Sequence, residues 1–251
     1  MEAARAAAMR GIRFPCMQKN DKLGGNLIPG GSHSFKKEVR ELNAWYQNEL
    51  SLLPVEVYTG KSVTAEQLKG MDADVIVLAA GSVPVMPKVP GIDDPKVIGC
   101  MDAFAHPEKI GDNVIVIGGG LVGCEMALDY AREGRKVTVV EALPKILSAG
   151  IPSPIPNGQM IPDLFEYHHV NVLEGHKLTA VENGKAVLEC DGHKNGIGSR
   201  FDCYCRWFPS RSVYGTGTAK NGSVVYEIGD GGQVSTILHA VWDGYEVGNN
   251  I

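Results

Sequence analysis

No apolar stretch in these 251 residues reaches the roughly 18 needed to span a bilayer. The Ala-rich start, Met1 to Arg10, is interrupted by charges and lacks the apolar core of a signal peptide. Membrane insertion is therefore not expected, and a cytoplasmic location is. Dense Lys/Arg runs are missing too, and the formal net charge is −5 with a pI near 5.8. Nucleic acid and anionic membranes find no basic footprint here and are not expected as partners. The six cysteines (Cys16, Cys100, Cys124, Cys190, Cys203 and Cys205) contain neither a CxxC pair nor zinc-type spacing. No metal site is expected from them, and they read as small buried hydrophobes. A nucleophile elbow is also absent, so the sequence offers no candidate for acyl transfer.

What is present is a 44% hydrophobic content, ample for a packed core of one or two domains. Apolar runs bounded by turn residues recur at Val55 to Tyr58, Val75 to Ala79, Val114 to Ile117, Val137 to Val140 and Val170 to Leu173. They are rich in Val and Ile and barely alternate, as parallel strands covered on both faces do. Helical patterns lie between them. Ser34 reads as an N-cap ahead of a face made by Phe35, Val39, Leu42 and Tyr46, and Thr64 to Gln67 reads as a capping box. Strand-helix alternation predicts an α/β fold with mainly parallel sheets. Pro84 to Asp94 reads as a crossing between domains, Ser148 to Gly158 as an ordered loop, and Ile237 to Ile251 as a last helix.

The most informative stretch is "NVIVIGGGLVGCE", residues 113 to 125. A strand runs into Gly118-x-Gly120-x-x-Gly123, and a helix follows with Leu121, Cys124, Leu128 and Ala131 on its inner face. Gly118 permits the tight turn, Gly120 lets the backbone approach a pyrophosphate, and Gly123 permits close helix–strand packing. Gly119, Leu121 and Val122 complete the candidate loop. The diphosphate is expected on the free N–H groups at the positive helix end. The next strand ends in Glu141, spaced to accept hydrogen bonds from the adenine ribose. A carboxylate there repels a 2′-phosphate, so NAD(H) is favoured over NADP(H).

A faint internal repeat accompanies the loop. "EAARAAAMRG" aligns with "EMALDYAREG", pairing Glu2 with Glu125, Ala4 with Ala127, Ala8 with Ala131 and Gly11 with Gly134. Three further pieces stand around the glycine loop: "KNDKLGGNLIPGG", "DADVIVLAAGSVP" and "VYEIGD". In this order they resemble the two-dinucleotide-binding flavoproteins of the pyridine-nucleotide oxidoreductases. "KLGGNLIPGG", "FKKEVRELNAWY", "VIVIGGGLVGCE", "PIPNGQM" and "HAVWDGYEVGNNI" are similar to the C-terminal region of Old Yellow Enzyme-type NADH:flavin oxidoreductases. That group includes 2,4-dienoyl-CoA reductases, enoate reductases and trimethylamine dehydrogenase.

The resemblance implies two Rossmann-like dinucleotide-binding domains, with FAD as a second cofactor. It places Gly24, Gly25 and Asn26 near the flavin and pyrophosphate, and makes Arg40 a FAD contact. Val63 would meet the adenine through its backbone, and Asp230 would hydrogen-bond the ribitol. Hydride passes from NADH to FAD in such proteins, and full-length members feed an FMN barrel with an iron–sulfur cluster that reduces enoate or dienoyl-CoA type substrates. No catalytic side chain is required, because the cofactors carry the chemistry. Residues 1–106 plus 221–251 are expected as a partial FAD-binding domain, and 107–220 as the NAD(H)-binding domain.

Departures from the family pattern set further expectations. The repeat offset puts the FAD glycine loop before Met1, making the chain a fragment with an incomplete first domain. The same offset sets Gln18 opposite Glu141, and Pro15 falls in what should be an interior strand. Phe201 to Gly215 stands where a strand is expected, yet Arg206, Trp207 and Pro209 do not suit one. A non-catalytic NADH-binding fragment is the alternative reading.

Overall fold

The computed structural model describes residues 1–84, 86–148, 155–196, 204–205 and 223–251. They form two compact units. The first comprises Met1–Ser32, Lys36–Val83 and the described residues of 209–251; the second comprises His33–Phe35 and the described residues of 84–208. In chain order the first unit supplies α1 (Glu2–Met9), β1 (Cys16–Met17), α2 (Leu27–Gly30), α3 (Lys37–Leu52), β2 (Val57–Tyr58), α4 (Ala65–Lys69) and β3 (Val75–Leu78). The second supplies α5 (Cys100–Ala105), β4 (Asn113–Ile117), α6 (Leu121–Arg132), β5 (Lys136–Val140) and α7 (Ile155–Tyr167). It continues with β6 (Asn171–Leu173), β7 (Lys177–Glu182), β8 (Lys185–Cys190), β9 (His193–Gly196) and β10 (Tyr204–Cys205). The chain then returns to the first unit with β11 (Val224–Glu227) and α8 (Ile237–Asn250).

The second unit is organised by a parallel sheet in the order β10-β4-β5-β6. Its strands are Val/Ile runs, and Val114, Val116 and Val139 lie in one core with Cys124, Leu128, Ala131 and Phe165. A second cluster forms around Ile115, Ile117, Val140 and Leu188, so the strands are apolar on both faces. α6 stops where Gly134 takes a positive φ of 87°. Beyond β6 lies an antiparallel sheet, β7-β8-β9, whose two hairpins turn through Asn183-Gly184 and Asp191-Gly192. All four of these residues have positive φ, the conformation that matches strand twist in two-residue turns. Residues 84–106, grouped with the first domain on sequence grounds, lie in this second unit. Gly91 anchors them there: Val181 N–H donates to Pro90 O at 2.8 Å, and a Cβ on Gly91 would come within 2.0 Å of Val181 O.

In the first unit β1 pairs with β2 and β3 with β11, both parallel. α1 and α8 are packed through small residues. A Cβ on Gly244 would lie 3.0 Å from Glu2 Cβ, and one on Gly248 would lie 2.7 Å from both Ala3 O and Ala6 Cβ. The internal repeat has structural counterparts: α1 matches α6, Glu2 and Glu125 are both buried, and Gly11 has a positive φ like Gly134. Cys16 and Met17 of β1 correspond to Val139 and Val140 of β5 at the same offset.

Several local expectations change. Ser34 does not cap α3, which starts at Lys37 with Lys36 at the cap position. Its hydroxyl donates to Asp129 Oδ1 at 2.6 Å instead, and Phe35 packs on the core of the second unit. Pro15 does not interrupt a ladder, because β1 is short and begins immediately after it. Of the expected loop Ser148 to Gly158, residues 155–158 form the first turn of α7. Tyr204 and Cys205 do pair with Ile115 and Val116 of β4; most of Phe201 to Gly215, including Arg206, Trp207, Pro209 and Cys203, lies outside the described residues. Thr64 and Gln67 form both bonds of the capping box.

Candidate functional site

The carboxyl end of β4 runs directly into the glycines, and each has a distinct physical reason. Gly118 adopts φ 106°, a region L side chains rarely enter, while its N–H donates to Val140 O at 2.8 Å. Gly119 is buried, and a Cβ there would lie 2.6 Å from Ile146 Cγ2. Gly123 sits over the turn, where a Cβ would come within 2.0 Å of Gly118 O. Gly120 is different. Its φ of −72° and ψ of 176° suit any residue, and a Cβ there would meet nothing within 4 Å. The protein itself does not demand glycine at this position, whereas a closely approaching ligand would.

Gly120 is also the N-cap of α6, and no side chain caps that end. The first-turn N–H groups around Leu121 and Val122 are therefore left for an anion, favoured by the helix dipole. Glu141 closes the site at the end of β5. It is 7% exposed; its Oε2 accepts from Gly119 N–H at 2.6 Å and its Oε1 from Leu143 N–H at 2.7 Å. Leu147 N–H donates back to Gly119 O, so the segment after β5 folds onto the glycine turn. A carboxylate has about four acceptor positions, which leaves capacity for ligand hydroxyls. Cys124 lies beneath the loop with Sγ 3.3 Å from Gly119 O. Burial, reinforced by the charges of Glu141 and Glu125, pushes its thiol up to about 12, so it is an inert packing residue.

A second convergence lies in the first unit. Because β3 and β11 are parallel neighbours in register from Val75↔Val224 to Leu78↔Glu227, their carboxyl ends coincide. This is where α/β sheets bind ligands. Ser82 follows β3, Asp230 follows β11, and Asn26 is the N-cap of α2. Asp230 Oδ2 accepts from Asn26 Nδ2 at 3.1 Å and from Ser82 Oγ at 3.1 Å, while Asn26 Nδ2 lies 3.4 Å from Ser82 Oγ. Ser235 N–H donates to Asp230 Oδ1 at 3.3 Å. Gly25 and Gly81 have positive φ and nothing within 4 Å of a Cβ position. A Cβ on Gly24 would lie 2.6 Å from Asn43 Oδ1, a buried atom with no hydrogen-bond partner among the described residues. Open cradles, an orphaned acceptor and a cluster of donors and acceptors fit a polar, hydroxyl-bearing ligand such as FAD.

Of the other residues singled out from sequence, Arg40 has an exposed side chain and donates from Nη1 to Gly31 O at 2.6 Å, steadying the end of α2. Val63 is half-buried on the link between β2 and α4. Sequence reasoning brought out Asn26 and Asp230 but missed Ser82 and Asn43. The signal for Ser82 was its place next to Gly81 in the turn that follows β3. Asn43 carried none, since a polar residue on a half-exposed helix is ordinary.

Residues 2–205 match the Pyridine nucleotide-disulphide oxidoreductase family. A cinnamate reductase of Clostridium sporogenes is 35% identical over all 251 residues, and a bilirubin reductase of Mediterraneibacter gnavus is 32% identical over 209, or 80% of the chain. These alignments cover 37% and 32% of the two relatives. Among solved structures, a 2-naphthoyl-CoA reductase in complex with 2-naphthoyl-CoA superposes with a TM-score of 0.87 at 26% identity, covering 100% of this chain and 38% of that one. The chain thus spans about a third of the length of such relatives. With two α/β units, a glycine loop closed by an acid and a family match over most of its length, this chain belongs to the pyridine nucleotide-disulphide oxidoreductases.

Proposed function

We propose that the chain is the NADH- and FAD-binding module of an Old Yellow Enzyme-type flavin oxidoreductase. The observation that carries this is Gly120, a glycine with an ordinary backbone and open space where its side chain would be, at an uncapped helix end. In this reading Gly118 to Gly123 hold the NADH pyrophosphate on backbone N–H groups, and Glu141 accepts from the adenine ribose. Fixed by Gly119 and Leu143, Glu141 has little freedom to turn away from a 2′-phosphate, which favours NAD(H) over NADP(H). Gly24, Gly25, Asn26, Arg40, Val63 and Asp230 form the FAD side, with Asn26 and Asp230 meeting ligand hydroxyls. The chemistry these cofactors supply when bound is hydride transfer from C4 of NADH to N5 of FAD. The residues bind, orient and exclude water, and none is asked to act as acid, base or nucleophile.

The electrons then pass to an FMN and iron–sulfur barrel, the partner the family resemblance implies, for reduction of an enoate or dienoyl-CoA type substrate. Cinnamate reductase and 2-naphthoyl-CoA reductase, the names of the relatives, support that class. A second reading, a non-catalytic NADH-binding module, is favoured by β1, only Cys16–Met17 long, and by Gln18 in place of an acid after it. One experiment separates the two. Under the first reading the purified chain supplied with FAD is yellow, and anaerobic NADH bleaches the flavin absorbance. A chain that stays colourless yet binds NADH is the second, and a chain that binds neither overturns both.

A further inference from the structure

We propose that Ser82 is a positioning residue of the flavin site, fixing which atoms of Asn26 and Asp230 face the cofactor. This rests on the FAD reading above. Asp230 Oδ2 receives two donors, Asn26 Nδ2 and Ser82 Oγ, each at 3.1 Å, whereas among the described residues Oδ1 receives only the Ser235 N–H. With about two acceptor positions per carboxylate oxygen, Oδ2 is filled and Oδ1 keeps one place open. Asn26 is constrained in the same way. Its Nδ2 is shared between Asp230 and Ser82, which leaves its Oδ1, among the described residues, as the open end of the carboxamide. Ser82 alone plays both roles in this cluster, donating to Asp230 and accepting from Asn26. A hydroxyl is the smallest group able to do that, and neither an apolar side chain nor an acceptor-only one could replace it.

The inferred consequence is that Asn26 and Asp230 each keep one acceptor oxygen, Oδ1, for the ligand, in a cluster tied to Ser82, whose chain neighbour Gly81 has open space at its Cβ position. Two fixed acceptors match vicinal hydroxyls, the pattern of a ribityl chain. Without the Ser82 hydroxyl, the carboxamide could turn over and the carboxylate could rotate, losing that match while every contact outside the cluster is kept.

The test uses the full chain and FAD, with affinity read from quenching of flavin fluorescence and fold integrity from the thermal midpoint. Ser82→Thr keeps the hydroxyl and should bind FAD within about threefold of wild type, whereas the near-isosteric Ser82→Val should bind about tenfold or more weakly, the loss of a hydrogen bond to a charged group. Because the pair differs by one hydroxyl, any shared loss of stability cancels between them. In an Asp230→Asn background the Thr/Val difference should shrink severalfold, because Ser82 acts through Asp230. Equal affinity of Ser82→Thr and Ser82→Val, or a difference undiminished in Asp230→Asn, overturns the proposal. A wild-type chain that binds no FAD overturns the flavin reading itself and this assignment with it.

Discussion

The Glu141 carboxylate accepts the Gly119 N–H at 2.6 Å from the carboxyl end of the neighbouring parallel strand, so the acid after β5 is tied directly to the glycine turn after β4. The acceptor proposed for the ribose is thus held in place by the protein itself, and the same bond holds the turn in shape. Binding and local stability are therefore coupled through a single side chain.

Glu141→Ala should weaken NADH binding about 10- to 100-fold, the range expected for hydrogen bonds to a charged group. It should leave FAD affinity unchanged, because the residues assigned to FAD lie in the other unit. Titration with each nucleotide separately checks this. Unchanged NADH affinity would show that the ribose contact lies elsewhere.

Asp129 provides a pH test independent of the cofactors. Burial alone would push its carboxyl up, but hydrogen bonds from His33 and Ser34, together with the His33 charge, outweigh burial and hold it below the usual carboxylate range. His33 Nδ1 is 3.2 Å from Asp129 Oδ2, and the ring stacks on Phe35. A folded-state value below the unfolded one means the contribution is present above about pH 4 and is lost as pH falls through the folded value. Asp129→Asn should cost on the order of 1–2 kcal/mol at pH 7, a difference that fades as pH drops below about 4. Denaturant midpoints of both proteins across that range measure it; a gap constant with pH would contradict it.

Cys124 should resist alkylation in the native protein at pH 8, since its thiol is fully buried and stays protonated up to about 12. Half-buried Cys16 should be modified before Cys124. Site-resolved mass spectrometry before and after denaturation distinguishes them, and native labelling of Cys124 would mean that the loop opens.

The strand, glycine turn and helix, with an acid at the end of the next strand, were legible because the backbone geometry of such a turn constrains its residues locally. The five strands were legible for the same reason, as Val/Ile runs bounded by turns. The antiparallel hairpins were equally written in Asn183-Gly184 and Asp191-Gly192, the strongest short-range hairpin signal, though a reading guided by parallel strands passes over them. Ser34 misled because a serine ahead of a helical pattern favours capping locally; Asp129, 95 residues away, offers its hydroxyl a charged acceptor instead. Ser82 and Asn43 gain their significance only from packing between segments distant in sequence, which no local pattern encodes.

The central claim is that the loop is a nucleotide site rather than a structural turn, and Gly120 separates those two roles. Gly123→Ala should lower the melting temperature, because its Cβ would run into Gly118 O. Gly120→Ala should not, since its backbone is ordinary and the space is open. The decisive measurement is NADH titration of Gly120→Ala beside its thermal melt: the account predicts a wild-type melting temperature with NADH binding weakened about tenfold or more. Wild-type NADH affinity in that variant would contradict it.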